Sequence, residues 1–181
     1  MGFIGENGAG KTTTLRLILD EIPRDGGRVS VFGRDNREQG SEVREEIGVV
    51  FDECHFHEMF TPGEIGKILS RCYRCWDGEL YRSLLSRFAL PEKGKRVKEL
   101  SRGMKMKLGI AAALAHHPRL LLLDEATSGL DPIVRDEMLE LLQEFVGDEE
   151  HAILFSSHIT EHLEKVADYI VFLHKGRVVF S

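Results

Sequence analysis

Two short stretches of this chain concentrate residues that could handle phosphate. The first, GENGAGKTT from Gly5 to Thr13, contains Gly-x-x-x-x-Gly-Lys-Thr at Gly5, Gly10, Lys11 and Thr12. Glycines let a backbone wrap an anion so that successive N–H groups face its oxygens. A helix starting here adds the positive end of its dipole. Glu6, Asn7, Gly8, Ala9 and Thr13 complete the cradle, Lys11 supplies a mobile charge for the β- and γ-phosphates, and Thr12 a hydroxyl for Mg2+. With glycine at roughly 7% of average usage, a chance match in a chain this long is on the order of one in a hundred.

The second stretch, LLLLDEATSGLD, runs from Leu120 to Asp131. A continuous apolar strand ending in two acids puts carboxylates at the carboxyl edge of a parallel sheet, where open α/β folds bind ligands. Asp124 would hold Mg2+ through water, and Glu125 would orient or deprotonate an attacking water. An acidic pair opening the next helix is the plain alternative, and the phosphate loop upstream argues against it.

The elements that must position these residues are legible in outline. Phe3-Ile4 reads as a strand running into the glycine-rich turn, and Thr12–Leu19 as a helix with Leu15, Ile18 and Leu19 at helical spacing. Strands are expected at Arg28–Phe32 and Ile47–Phe51, separated by a polar stretch. Glu64–Tyr73, Leu80–Phe88 and Met104–His116 carry helical periodicity. After Pro118 the α/β alternation resumes: a strand at Leu120–Leu123, then a helix over Pro132–Val146 with Asp131 as N-cap and Pro132 at its first position. Strands at Ala152–Phe155, Tyr169–Leu173 and Arg177–Phe180 follow. The fold class is α/β, with a helical insertion.

Composition bounds the function. The chain has 181 residues, 42% hydrophobic and 30% charged, enough apolar content to bury a core. Its net charge of −6 gives no general attraction to nucleic acid. The longest apolar runs are too short to span a bilayer. The opening MGFIGENG lacks the basic and apolar parts of a signal peptide, and three cysteines fit a reducing compartment, so a cytoplasmic chain is expected.

GENGAGKTT, LSRGM, LLLLDEATSGLD and FSSH occur in the order found in the nucleotide-binding subunits of ABC transporters, and the resemblance covers nearly the whole chain. It implies a P-loop NTPase with a RecA-like core, an inserted helical subdomain and a partial antiparallel β subdomain. The implied division is 1–52 for the first part of the ATP-binding core, 53–118 for the helical subdomain, and 119–181 for the rest of the core. It further implies ATP with Mg2+ as ligands, and a head-to-tail pair of subunits sandwiching two ATP molecules. A separate membrane-spanning subunit would hold the pair at the inner face of the membrane. Leu100–Met104 resembles the signature segment, so Ser101 and the Gly103 N–H would meet the γ-phosphate bound by the opposite subunit. Ser128–Asp131 resembles the loop that touches the partner's site, which makes Asp131 a binding residue. His158 resembles the switch histidine that contacts the γ-phosphate. Phe51–Phe60 resembles the wall of the groove for the membrane subunit, with Phe56, Met59 and Phe60 as apolar candidates.

Two departures stand out. The signature reads LSRGM where the family usually has LSGGQ, so Arg102 could add charge near phosphate. Asp52 stands where the family carries a glutamine that senses Mg2+ and the membrane partner, and is expected beside the metal. Asp52 therefore joins Thr12 and Asp124 in the expected metal set. The missing chain before Gly5, where the family has further strands and an adenine-stacking aromatic residue, reads as a truncated N-terminal edge, and the stop at Ser181 as a truncated C-terminal one.

Other readings remain. A cassette that binds nucleotide or a partner with little turnover would share these motifs, as would a family ATPase acting on DNA or ribosomes, although no heptad tract lies between Lys11 and Ser101. Cys54-x-x-His57 with Cys72-x-x-Cys75 could form a zinc site. Ordinary helix and loop residues explain them as well.

Overall fold

The computed structural model of the chain describes residues 1–147, 150–158 and 167–180. Its centre is a six-stranded sheet. The strands are β1 (Gly2–Ile4), β4 (Ile47–Val50), β5 (Leu120–Asp124), β6 (Ala152–Ser157), β7 (Ile170–His174) and β8 (Arg177–Phe180), in the spatial order β4-β5-β6-β1-β7-β8. The first five run parallel and β8 pairs antiparallel with β7. A two-stranded antiparallel ribbon, β2 (Ser30–Val31) with β3 (Arg34–Asp35), stands apart as the small β subdomain.

The continuous leucine run of β5 follows from burial on both faces. Leu121 and Leu123 pack into one core with Leu108, Ile110, Met138 and Leu142, while Leu122 points the other way, against Leu15, Leu19 and Val43. Alternate side chains of a strand leave opposite faces, so a two-sided sheet needs apolar residues at every position. One face is covered by α5 (Arg102–Leu114) and α6 (Pro132–Val146), the other by α1 (Lys11–Ile18) and α2 (Gly40–Glu45).

Helices α3 (Pro62–Leu69), α4 (Gly78–Arg87) and α5 lie between β4 and β5 in the chain. Thr61 and Glu64 close a reciprocal capping box at the start of α3, and Asp77 caps α4 by accepting the Glu79 and Leu80 N–H groups. Tyr81 of α4 is buried and donates its hydroxyl to the Pro62 carbonyl at 2.8 Å, its ring lying over Gly66.

Several boundaries differ from the sequence reading. Helix α2 and strand β3 fall in the stretch read as polar; α2 buries only Gly40 and Val43, too little to show a period. The strand expected over Arg28–Phe32 contracts to Ser30–Val31. Helix α3 stops at Leu69 instead of reaching Tyr73, because the Tyr73 ring leaves the helix to stack on His116, at 4.0 Å and 15°. Cys72 and Cys75 therefore sit in the connection to α4, not within a helix. Asp131 and Pro132 open α6 as expected, Asp131 accepting the Ile133 N–H at 3.0 Å.

Candidate active site

Every strand end that matters lies on one edge. The carboxyl ends of β1, β5 and β6 sit side by side, with Asp124 in register with Ser156 and Ile4 with Ser157. The phosphate loop leaves β1, the acidic pair leaves β5, and His158 leaves β6.

The loop owes its path to its glycines. Gly8 and Gly10 have φ of +81° and +108°, the left-handed region that L side chains avoid. At Gly5 the limit is space: a Cβ there would lie 2.5 Å from the Leu173 carbonyl oxygen. The β7–β8 turn braces the loop from behind, the Gly176 N–H donating to the Ala9 carbonyl at 2.9 Å. Gly10 is the N-cap of α1, so the helix begins at Lys11 with its first N–H groups directed into the loop.

A cavity of about 460 Å³ opens above this loop. Glu6, Asn7, Gly8, Gly10, Lys11, Thr12 and Thr13 line one side, and Asp124, Glu125 and Asp52 the other. Gly5 and Ala9 stand behind the wall as supports. Lys11 is buried; its ammonium donates to the Gly5 carbonyl at 2.6 Å and lies 3.4 Å from Glu125 Oε1. Thr12 Oγ1 donates to Asp124 Oδ2 at 2.6 Å, and the Ser156 hydroxyl donates to the other oxygen, Oδ1. Asp124 is thus buried, oriented and bonded at both oxygens.

Glu125 has φ of +52°, an uncommon backbone for a residue with a side chain. Its N–H donates to the Ser156 carbonyl at 3.0 Å and its carbonyl accepts from the Ser128 N–H at 2.9 Å, which hold the bend. The bend turns the carboxylate toward Lys11 and His158. His158 Nδ1 donates to Glu125 Oε2 at 2.7 Å. Oε1 is buried, makes no hydrogen bond and faces the Lys11 ammonium.

Five carboxylates, from Glu6, Asp52, Glu53, Asp124 and Glu125, face this cavity against the cations of Lys11 and Arg16. A polyphosphate would meet net negative charge there, which a divalent cation offsets. The donor set suits Mg2+: a hydroxyl and a buried carboxylate are hard oxygen ligands, and Mg2+ keeps several waters while taking the rest of its shell from substrate phosphates.

Ser101, Gly103 and Asp131 do not line this cavity. Ser101 caps α5, accepting the Met104 N–H at 3.3 Å, and Gly103 packs on Val134. Phe51, Asp52, Glu53 and His55 line both the phosphate cavity and a second one of about 760 Å³, whose other walls include Phe56, Tyr73, Arg102 and Lys105. Met59 and Phe60 are exposed but outside it.

The cysteines form no metal centre: among the described residues no group of three or more His, Cys, Asp or Glu is placed to hold an ion. Burial also pushes the Cys54 thiol up, away from the thiolate a metal needs. The sequence reading missed the Ser156 hydroxyl and the contributions of Arg16, Glu53 and His55. A serine pair ending an otherwise apolar strand was the available signal for Ser156.

Comparison with known proteins shows the family and the fold. The ABC transporter family matches residues 1–128. The bacitracin transport ATP-binding protein BcrA of Bacillus licheniformis is 35% identical over 179 residues, covering 98% of this chain and 58% of that protein. The ABC transporter ATP-binding protein NatA of Bacillus subtilis (strain 168) is 36% identical over 185 residues, covering 99% and 75%. The chain therefore spans less than two thirds of the length of some curated relatives. A solved ATP-binding subunit of an ABC transporter superposes with a TM-score of 0.85 at 29% identity, over 98% of this chain and 75% of that one. The fold is also that of the ATP-binding cassette MJ0796, solved as a dimer in a post-hydrolysis state bound to ADP and Pi, with a TM-score of 0.86 at 23% identity, over 99% and 82%.

Proposed function

The chain belongs to the ABC transporter family, and from that premise we propose that it binds ATP with Mg2+ and hydrolyses it to drive a membrane-spanning partner. One observation carries the reading: the Glu125 carboxylate is held between the Lys11 ammonium and the His158 imidazole, beside the Thr12–Asp124 pair.

Each residue then has a role. Backbone N–H groups from Glu6 to Thr13 and the Lys11 ammonium hold the β- and γ-phosphates. Thr12 and Asp124 would hold Mg2+, with Asp52 beside them, and the ion would supply positive charge to offset that of the phosphates. Glu125 takes a proton from water as the water oxygen bonds to the γ-phosphorus. The bond from that phosphorus to the bridging oxygen breaks, leaving ADP and phosphate. His158 orients Glu125 and lies where it can donate to the transferring phosphoryl group.

The chain's own Ser101, Gly103 and Asp131 stand outside the cavity, which supports a second cassette supplying them in a head-to-tail dimer. ATP bound between two subunits would close the pair, and hydrolysis would reopen it. The 760 Å³ groove, sharing Phe51, Asp52, Glu53 and His55 with the phosphate cavity, suits a short segment of the membrane partner. None of the described helices is long and apolar enough to cross a membrane. We assign the chain to the inner membrane face, held there by that partner.

The test is steady-state phosphate release by the chain and by Glu125→Gln. The wild type should turn over with Mg2+, while the variant should lose release and accumulate ATP-bound dimers on a sizing column. Equal rates in the two proteins would overturn the assignment of Glu125. Co-purification with a polytopic membrane protein, rather than with nucleic acid, supports the transport role.

A further inference from the structure

Arg102 is one of the two residues, with Met104, by which LSRGM departs from the family's usual signature, and its place in the fold is specific. It is the first residue of α5, directly after the cap Ser101. Its guanidinium rests on Gly129: Nη1 and Cζ lie 3.3 and 3.5 Å from where a Cβ on that glycine would stand. Gly129 has φ of +66° and lies in the loop that follows Glu125.

Two facts make this contact more than surface packing. First, an arginine at a helix N-terminus opposes the helix dipole, and the first turn of α5 has no acidic residue to offset it. Among the described residues the Arg102 side chain makes no hydrogen bond or ion pair either. Its charge does nothing evident for the stability of this chain. Second, the contact joins three parts of the molecule. Arg102 lines the 760 Å³ groove, adjoins Ser101 and Gly103, and touches the loop whose Ser128 N–H is held by the Glu125 carbonyl at 2.9 Å. A glycine at position 102 would leave Gly129 without this cover.

We propose that Arg102 is a positioning residue that ties the signature end of α5 to the loop after Glu125, so that the segment serving the partner's nucleotide and the chain's own catalytic bend move together. This rests on the reading of Ser101 and Gly103 as ligands of the opposite subunit's ATP. The bare Gly129 is part of the device, since any side chain there would push the guanidinium away.

The experiment compares Arg102→Ala with the wild type in four readouts: kcat for ATP, ATP affinity, thermal midpoint, and amide hydrogen exchange of the 125–131 segment. Arg102→Ala should lower kcat about tenfold and speed exchange of the Ser128 amide, leaving ATP affinity and the midpoint unchanged. A kcat within twofold of wild type, or unchanged Ser128 exchange, overturns the proposal. So does a lowered midpoint, which would mark a structural role. If the wild type itself shows no turnover, the ATPase reading fails, and Ser128 exchange alone decides whether Arg102 holds the loop.

Discussion

His158 and Glu125 meet through Nδ1 and Oε2 at 2.7 Å, although 33 residues separate them in the chain. The pairing exists because β5 and β6 are adjacent and parallel, so both strands release their next residues on the same edge. It leaves Nε2 of the imidazole free of Glu125 and fixes the carboxylate relative to Lys11. Losing this donor would let Glu125 rotate without disturbing the phosphate loop.

His158→Ala should therefore lower kcat by about 100-fold or more while ATP affinity stays near wild type. Because His158 is exposed, the thermal midpoint should hold. A rate within a few-fold of wild type would remove His158 from the mechanism.

Thr12 and Asp124 form the other short pair, at 2.6 Å. Asp124→Asn keeps the shape and removes the charge proposed to hold Mg2+. ATP binding by calorimetry should differ strongly between Mg2+ and EDTA for the wild type and become nearly equal for the variant. A retained Mg2+ effect would place the metal elsewhere.

Asp52 lines both cavities and adds a carboxylate where the family carries glutamine. Asp52→Gln should raise the Mg2+ concentration for half-maximal ATPase rate severalfold and change turnover. Identical Mg2+ titrations and rates in the two proteins would discard this role.

Gly66→Ala tests the packing of α3 on α4. A Cβ at Gly66 would stand 2.5 Å from Tyr81 Cε1, and Tyr81 cannot retreat, being buried and bonded to the Pro62 carbonyl at 2.8 Å. Alanine gains up to about 1 kcal/mol in helix propensity, while overpacking costs about 1–3 kcal/mol. The clash should win, lowering the thermal midpoint by a few degrees. An unchanged or higher midpoint would mean that the two helices slide apart freely.

His116 makes stability depend on pH. Burial pushes its pKa below the ordinary histidine value, only partly opposed by its bond to the Ile47 carbonyl. The folded protein therefore keeps it neutral, while the unfolded chain takes up a proton near pH 6.5. Stability should be full above that pH and fall as the pH drops through it toward the folded value. Comparing urea unfolding at pH 7.5 and 5.5, His116→Gln should show a smaller loss than the wild type. Equal losses would exclude His116 as the source.

Much of the site was legible because its chemistry is local. The phosphate loop needs glycines at set spacings, and Gly8 and Gly10 take the left-handed conformations that such a loop requires. Asp131 and Pro132 open α6 as their capping chemistry dictates. Short elements with a single buried side chain, such as α2 around Val43, carried no such signal.

The residue order alone therefore determined the phosphate loop, the acidic strand end and the start of α6, since these depend on neighbours a few positions apart. Strand register and packing decided the rest. They set Ser156 against Asp124, gave the carboxylate of Glu125 both Lys11 and His158 as partners, and laid Arg102 over Gly129. Those contacts join distant segments, and their geometry exists only once both faces of the sheet are buried.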